Sequence, residues 1–182
     1  MRVIAGSAKG VQLQSVPGTG TRPISDRVKE ALFNILADSI VGADFLDLFA
    51  GTGSVGIEAL SRGANSAVFV EKQPRAVSTI HKNLRRTRLE ARGRVTKWDG
   101  FRYLAREPEP FHVVYVAPPQ YIGLWSKTLH ALDATPQWLS PGGVAIVQIF
   151  PKDRHGHNLS PLYLVDQRRY GSTLLGFFEP CS

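Results

Sequence analysis

Cysteine is nearly absent from this chain. The 182 residues hold one, Cys181, so neither a disulfide framework nor a cysteine zinc site is available. Long apolar runs are missing too: none approaches the roughly 20 residues of a membrane span, and the N-terminus lacks the apolar core of a signal peptide. A cytoplasmic chain without membrane attachment is expected. His155 and His157 share the polar loop 152–157 but have no further ligand in sequence reach, so no metal is expected. Repeats and low-complexity segments do not occur. Acidic residues are in deficit, 15 Asp and Glu against 22 Lys and Arg, giving a net charge of +7 and a pI near 9.9. Such a balance suits a polyanionic partner. The length suits one well-buried domain, with 1–20 as an N-terminal extension and 21–182 as the core.

What is present is a stretch that joins a short apolar run to a glycine-rich bend and then to a helical pattern: Phe45-Leu46-Asp47-Leu48-Phe49-Ala50-Gly51-Thr52-Gly53-Ser54-Val55-Gly56. It reads as strand, ligand loop and a helix over 54–62 stopped by Gly63. The glycines admit close backbone approach, and the helix presents its N-terminal N–H groups to the same space. Gly51 to Gly56 satisfies G-x-G-x-x-G, so a nicotinamide oxidoreductase is the first rival. Asp47 opposes it, because a carboxylate at the strand end, facing the crevice, repels a pyrophosphate. S-adenosylmethionine carries a positive sulfonium and ammonium and no phosphate, so the same acid attracts it. Glu71 ends the next apolar run, 67–70, where an acid holds ribose hydroxyls; it indicates a nucleoside without choosing between the two cofactors.

Ahead of that stretch, 2–5 and 11–14 flank the glycine-rich 6–10 and predict a hairpin carrying Arg2 and Lys9. Pro17-Gly18-Thr19-Gly20 is a flexible joint. Thr21-Arg22-Pro23-Ile24 leads into a helix capped by Ser25, whose buried face is expected to be Val28, Ala31, Leu32, Ile35 and Leu36. Arg27 stands in the first turn, against the macrodipole; it either pairs with Glu30 or meets a phosphate or the substrate. After residue 43 strands and helices alternate. Pro74 opens a helix with Val77, Ile80 and Leu84 inward, and Arg75, Lys82, Arg85, Arg86 and Arg88 form either a solvated face or a nucleic-acid contact. Strands are predicted over 94–98, ending at Asp99, and over 111–116. A helix is expected over 124–132, a turn at 141–143, a buried strand over 144–150, and a final hairpin around Gly171. Four successive strands thus end in candidate site residues, at the carboxyl ends where an open α/β sheet binds ligands.

The fourth strand runs into Ala117-Pro118-Pro119-Gln120-Tyr121. Two prolines make a stiff extended corner whose carbonyls lack regular partners. That corner either merely ends the strand or grips an amine: acceptors on the hydrogens of an exocyclic base amine hold its lone pair toward a methyl carbon. Proximity and in-line approach then supply the rest, and Tyr121 offers a stacking face for a base.

The leader 21–36, the loop 47–64, Phe69-Val70-Glu71-Lys72, the N-terminal Arg2-Val3-Ile4-Ala5-Gly6 and Arg169-Tyr170-Gly171 together resemble the bacterial small-subunit (16S) ribosomal RNA guanine-N2 methyltransferases, over essentially the whole chain. The resemblance implies a Rossmann-like class I methyltransferase: an α/β fold with a mostly parallel seven-stranded sheet, a C-terminal antiparallel hairpin and a small N-terminal β-hairpin. It implies S-adenosylmethionine as cofactor, bound by Asp47, Phe49, Ala50, Gly51, Thr52, Gly53, Glu71, Lys72 and Asp99, and a guanine N2 of 16S rRNA, free or in the 30S subunit, as acceptor. Arg2, Lys9, Arg22 and Arg27 then contact RNA, and residues 117–121 form the catalytic corner of a monomeric enzyme. In one place the chain departs from the family: the pattern there is Asp-Pro-Pro-aromatic, and here Ala117 replaces the Asp with Gln120 before Tyr121. A catalytically weakened, cofactor- and RNA-binding assembly protein is therefore the alternative expectation. Amine methylation of DNA shares the site logic and is separated by substrate.

Overall fold

The structure is a computed structural model, and it describes residues 1–18, 23–120, 123–149 and 158–181. The chain divides into two compact units, Met1–Gly100 and Phe101–Ser182.

In the first unit Ser25 caps helix α1 (Asp26–Leu36), its hydroxyl accepting from the Val28 N–H at 3.2 Å. Strands β1 (Asp44–Asp47), β2 (Ser66–Val70) and β3 (Gly93–Thr96) pair in parallel in the order β3-β2-β1. Helix α2 (Ser54–Ser61) joins β1 to β2, and α3 (Pro74–Thr87), opened by its proline, joins β2 to β3. Phe45, Leu46, Phe69, Ile57, Leu60, Ile80 and Leu84 are buried between these layers. The second unit contains β4 (Phe111–Val116), α5 (Leu124–Ala134), β5 (Leu139–Ile149), β6 (Leu162–Tyr170) and β7 (Thr173–Pro180), with α4 (Gly100–Leu104) at its start. Its strand order is β4-β5-β7-β6; β5 runs parallel to β4, and the β6–β7 hairpin is antiparallel. Trp138, fully buried, lies over Tyr103 at 5.3 Å and Phe111 at 6.5 Å between ring centroids. The seven strands are those of a mostly parallel sheet ending in an antiparallel hairpin.

Four local expectations are corrected. The N-terminal hairpin is short: Val3 N–H donates to the Val11 carbonyl and Leu13 N–H to the Met1 carbonyl, each at 3.0 Å, about one antiparallel bridge of Arg2 to Gln12, and the pairing goes no further because the next N–H groups find acceptors on α2. Ile4 and Ala5 donate to the Glu58 carboxylate at 2.9 and 3.1 Å, and Ala8 donates to the Ser61 hydroxyl at 2.9 Å. The buried face of α1 is turned: Lys29 and Phe33 are buried, whereas Ile35 is 37% exposed and Ala31 half-buried. Lys29 goes inward because Glu58 waits there at 3.5 Å. On α3 the inward face is Ala76, Thr79, Ile80, Asn83, Leu84 and Thr87, with Val77 only half-buried. Residues 141–143 do not leave the sheet as a turn. They belong to β5, whose ladder with β4 shifts register between Phe111 and Val113, with Gly142 at φ 74°.

Candidate active site

The loop after β1 is held from three sides. Ala50 N–H donates to the Val70 carbonyl at 3.0 Å, which lays the loop across the end of β2. Gly51 N–H donates to Glu71 Oε2 at 2.9 Å, and Gln73 N–H donates to Glu71 Oε1 at 2.9 Å. Glu71 thereby joins the loop to the start of α3 and keeps a second lone pair on each oxygen for another donor. Gly53, at φ 79°, is the N-cap of α2 and needs the left-handed conformation there. Three residues on, Gly56 lies so close to the Phe69 ring that a Cβ would overlap it. That glycine sets how tightly α2 sits on β2.

Asp47, expected to face the crevice, is 1% exposed and accepts from Gly56 N–H through Oδ2 at 3.1 Å. Its carboxylate points at the first turn of α2. Burial pushes its pKa up to about 7, the negative Glu71 adds to the rise, and the Gly56 hydrogen bond opposes it. A cation near this carboxyl would favour its ionised form.

The remaining cofactor candidates gather in the same unit. Phe49 is half-buried, and Gly100 lies against its ring, where a Cβ would come within 2.8 Å. Thr52 donates through Oγ1 to Met1 Sδ at 3.5 Å and accepts there from Ser54 N–H at 3.3 Å. Lys72 and Asp99, both partly exposed, pair at 4.0 Å across the ends of β2 and β3. Of the RNA candidates, Arg2 is exposed and lies 3.9 Å from Asp26, while Lys9 and Arg27 are exposed. Arg22 and Tyr121 lie outside the described residues, as do His155 and His157. Among the described residues no three His, Cys, Asp or Glu are grouped to hold a metal, and no helix is long and apolar enough to cross a membrane. In the second unit Ala117 and Pro119 are half-buried, Pro118 is buried, and Gln120 is exposed at the corner after β4.

Two supports escape a reading of the sequence. Asn83, fully buried, accepts from Gln14 N–H at 2.7 Å and donates to the Gln14 and Thr52 carbonyls at 3.0 Å each, so one side chain ties the N-terminal segment to the glycine loop. Its signal is a polar residue between Ile80 and Leu84 on an inward helix face. Glu58, fully buried on α2, accepts from Ile4, Ala5 and Arg62 Nε (2.9 Å) and faces Lys29 Nζ, which also donates to the Arg2 carbonyl at 2.7 Å. Its signal is a lone acid in an otherwise uncharged helix.

Comparison with known proteins gives the family. Residues 1–179 match the family described as "conserved hypothetical protein 95". The chain is 35% identical over 182 residues to the putative rRNA methyltransferase YlbH of Bacillus subtilis, covering 98% of both chains. It is 37% identical over 148 residues to ribosomal RNA small subunit methyltransferase D of Escherichia coli, covering 81% of this chain and 74% of that one. Among solved structures, a putative methyltransferase from Escherichia coli superposes with a TM-score of 0.88 at 31% identity, covering 100% of this chain and 98% of the other. An RNA methyltransferase from Salinibacter ruber, in complex with S-adenosyl-L-homocysteine, shares the fold with a TM-score of 0.67 at 18% identity, covering 87% of this chain and 94% of that one. The α/β architecture is thus the class I methyltransferase fold, and the chain belongs to the conserved hypothetical protein 95 family, that of the small-subunit ribosomal RNA methyltransferase D proteins.

Proposed function

We propose that this chain is an S-adenosylmethionine-dependent methyltransferase that modifies the exocyclic N2 amine of a guanine in 16S ribosomal RNA. The observation that carries the reading is the glycine loop locked between a buried Asp47 and a fixed Glu71, in a family whose relatives are named for this RNA. The residues fit the cofactor. A buried acid with a raised pKa calls for a cation, the carboxylate of Glu71 keeps free acceptor capacity for hydroxyls, and Gly51 has open space where a side chain would stand. A pyrophosphate would meet two acids here, which disfavours a nicotinamide cofactor.

When bound, the cofactor supplies a methyl group activated by its sulfonium. This chain's residues bind and orient. Asp47 offsets positive charge; Glu71 accepts from the ribose hydroxyls; Phe49, Ala50, Gly51, Thr52 and Gly53 shape the loop; Lys72 and Asp99 flank the nucleoside. At the corner after β4, the carbonyls of Ala117 and Pro118 and the amide oxygen of Gln120 accept from the guanine amine, turning its lone pair outward. Tyr121 stacks on the base. The same reading takes 1–182 as one catalytic domain of a cytoplasmic monomer whose substrate is 16S rRNA or the 30S subunit, contacted by Arg2, Lys9, Arg22 and Arg27. Ala117 supports a second reading, an assembly protein that binds cofactor and RNA with little transfer.

The test is transfer of labelled methyl to 16S rRNA and to 30S particles lacking the modification, with the product nucleoside identified by mass spectrometry. N2-methylguanine is the expected product. Cofactor binding without transfer would favour the assembly protein, and a modified DNA or a different base would overturn the substrate.

A pH dependence follows from Asp47. A protein with this carboxyl neutral must release a proton to meet a cationic ligand, so affinity for S-adenosylmethionine is expected to rise severalfold from pH 6 to pH 7.5, through the Asp47 pKa of about 7. Asp47→Asn keeps an acceptor for Gly56 N–H and removes the titration, so its affinity should be lower and flat across that range. Calorimetric titration at three pH values decides; a flat wild-type profile would remove Asp47 from the electrostatics of the site.

A further inference from the structure

The positive charge of this chain is not spread over its surface. Residues 74–97 hold eight Lys and Arg against one acid, Glu90, a net +7 equal to that of the entire protein. Everything outside this segment is balanced. Of the eight, Arg92 is half-buried and structural, donating to the Ala64 and Leu60 carbonyls. The other seven, Arg75, Lys82, Arg85, Arg86, Arg88, Arg94 and Lys97, are exposed.

The helix that carries most of them contains no acid. Elsewhere four exposed cations have carboxylate neighbours: Arg2 with Asp26, Lys72 with Asp99, Arg106 with Glu109, Arg168 with Asp166. Among the described residues, Arg75, Lys82, Arg85, Arg86 and Arg88 make no ion pair within 4.0 Å. Lys82 and Arg86 even stand at i, i+4, a repulsive spacing on a helix. Favourable interaction with the helix C-terminus accounts for Arg85 and Arg86 in the last turn, but not for Arg75, Lys82 or Lys97. The outer side of α3 also has shape: Pro74, Val77, Ser78, His81, Arg85 and Lys97 line an open groove of about 600 Å³. Trp98, 37% exposed, follows Lys97, while Trp125 and Trp138 are buried. Cations along an open groove, with a partly exposed aromatic next in the chain, are the makings of a single-strand nucleic-acid track.

We propose that the outer face of α3 and the adjoining β3 edge bind the sugar-phosphate backbone of the substrate RNA, as a second contact in addition to the N-terminal cations. The inference rests on the methyltransferase reading above for the identity of the polyanion. Its signature is electrostatic and independent of sequence: each phosphate neutralised releases counterions, so affinity depends on salt with a slope that grows with the number of phosphates engaged.

The experiment measures affinity for a 16S rRNA fragment by fluorescence anisotropy at five salt concentrations, for the full chain and for Lys82→Gln/Arg85→Gln/Arg88→Gln. S-adenosylmethionine affinity is measured on the same samples to report the fold. The triple variant is expected to lose at least tenfold in RNA affinity at low salt and to flatten the log–log slope by about 2, at roughly 0.7 for each phosphate no longer neutralised, with cofactor affinity unchanged. The charge-preserving Lys82→Arg/Arg85→Lys/Arg88→Lys should keep the wild-type slope, which separates charge from helix stability. A wild-type slope in the Gln variant overturns this face while leaving the methyltransferase reading intact. Loss confined to 30S particles, with free RNA bound normally, overturns it in favour of a ribosomal protein as the partner. A wild-type chain that binds cofactor but neither 16S rRNA nor 30S particles overturns both readings together.

Discussion

Replacing Ala117 by Asp is expected to raise methyl transfer to guanine N2 by roughly 10²–10³-fold, the usual weight of one preorganised transition-state hydrogen bond. The backbone is ready for it. Strand β4 ends at Val116, Ala117 is half-buried, and the buried Pro118 that follows biases residue 117 toward extended backbone, which Asp adopts as readily as Ala. Because position 117 is partly exposed, a new carboxylate stays hydrated and costs little stability. The proposed cofactor residues lie between Asp47 and Asp99, in the other compact unit, so affinity for S-adenosylmethionine should stay within about twofold in Ala117→Asp if only the amine grip changes. Single-turnover transfer and calorimetric titration on the same preparation separate the two quantities. Unchanged turnover would mean that Gln120 or a corner carbonyl already fills the acceptor role. A fall in cofactor affinity at constant turnover would place residue 117 with the cofactor and not the base.

Glu58→Gln is expected to destabilise the protein by about 3–5 kcal/mol, the range for breaking a buried ion pair from one side. For a chain of this length that corresponds to a fall in Tm of roughly 6–20 °C. Glu58 is a hub of four donors: the Ile4 and Ala5 N–H groups, Arg62 and Lys29. An amide in its place turns one acceptor into a donor facing other donors and leaves the buried Lys29 ammonium without a counter-charge. Burial already lowers the pKa of Lys29, with Glu58 holding against that trend. The opposite substitution, Lys29→Met, should cost less, about 1–2 kcal/mol, because Glu58 keeps Arg62 and both N–H donors, and the Arg2 carbonyl is the one group left without its Lys29 donor and with no charge to compensate. Denaturant unfolding of the two variants checks the asymmetry. Equal losses would show that the Lys29–Glu58 pair, and not the docking of the N-terminal segment on Glu58, dominates.

Glu58 bears on the site because the segment it holds reaches the glycine loop. Met1 Sδ receives the Thr52 hydroxyl, and Asn83 bridges Gln14 to the Thr52 carbonyl. A chain that loosens residues 1–14 therefore loosens the loop that the proposed cofactor needs. Purely local signals reveal none of this.

What the sequence determined by itself was everything whose cause is short in range. Ser25 caps α1 because its hydroxyl reaches an N–H three residues on, Pro74 opens α3 because its fixed φ suits a first turn, and β4 falls at Phe111–Val116 because an apolar run broken only by His112 is what a buried strand requires. The glycine loop with Asp47 and Glu71 was legible for the same reason, as was the substitution at Ala117. The concentration of charge in 74–97 could be counted from the sequence as well, but whether those cations were paired could not. Tertiary structure decided that, along with the inward turn of Lys29, the shortness of the N-terminal hairpin, and the burial of the Asp47 carboxylate against α2. Each depends on partners that folding brings from far away: Ile4 meets Glu58 across 54 residues, and Gln14 meets Asn83 across 69. A buried polar group is stable only where such partners satisfy it, and no periodicity along the chain records which distant residue will.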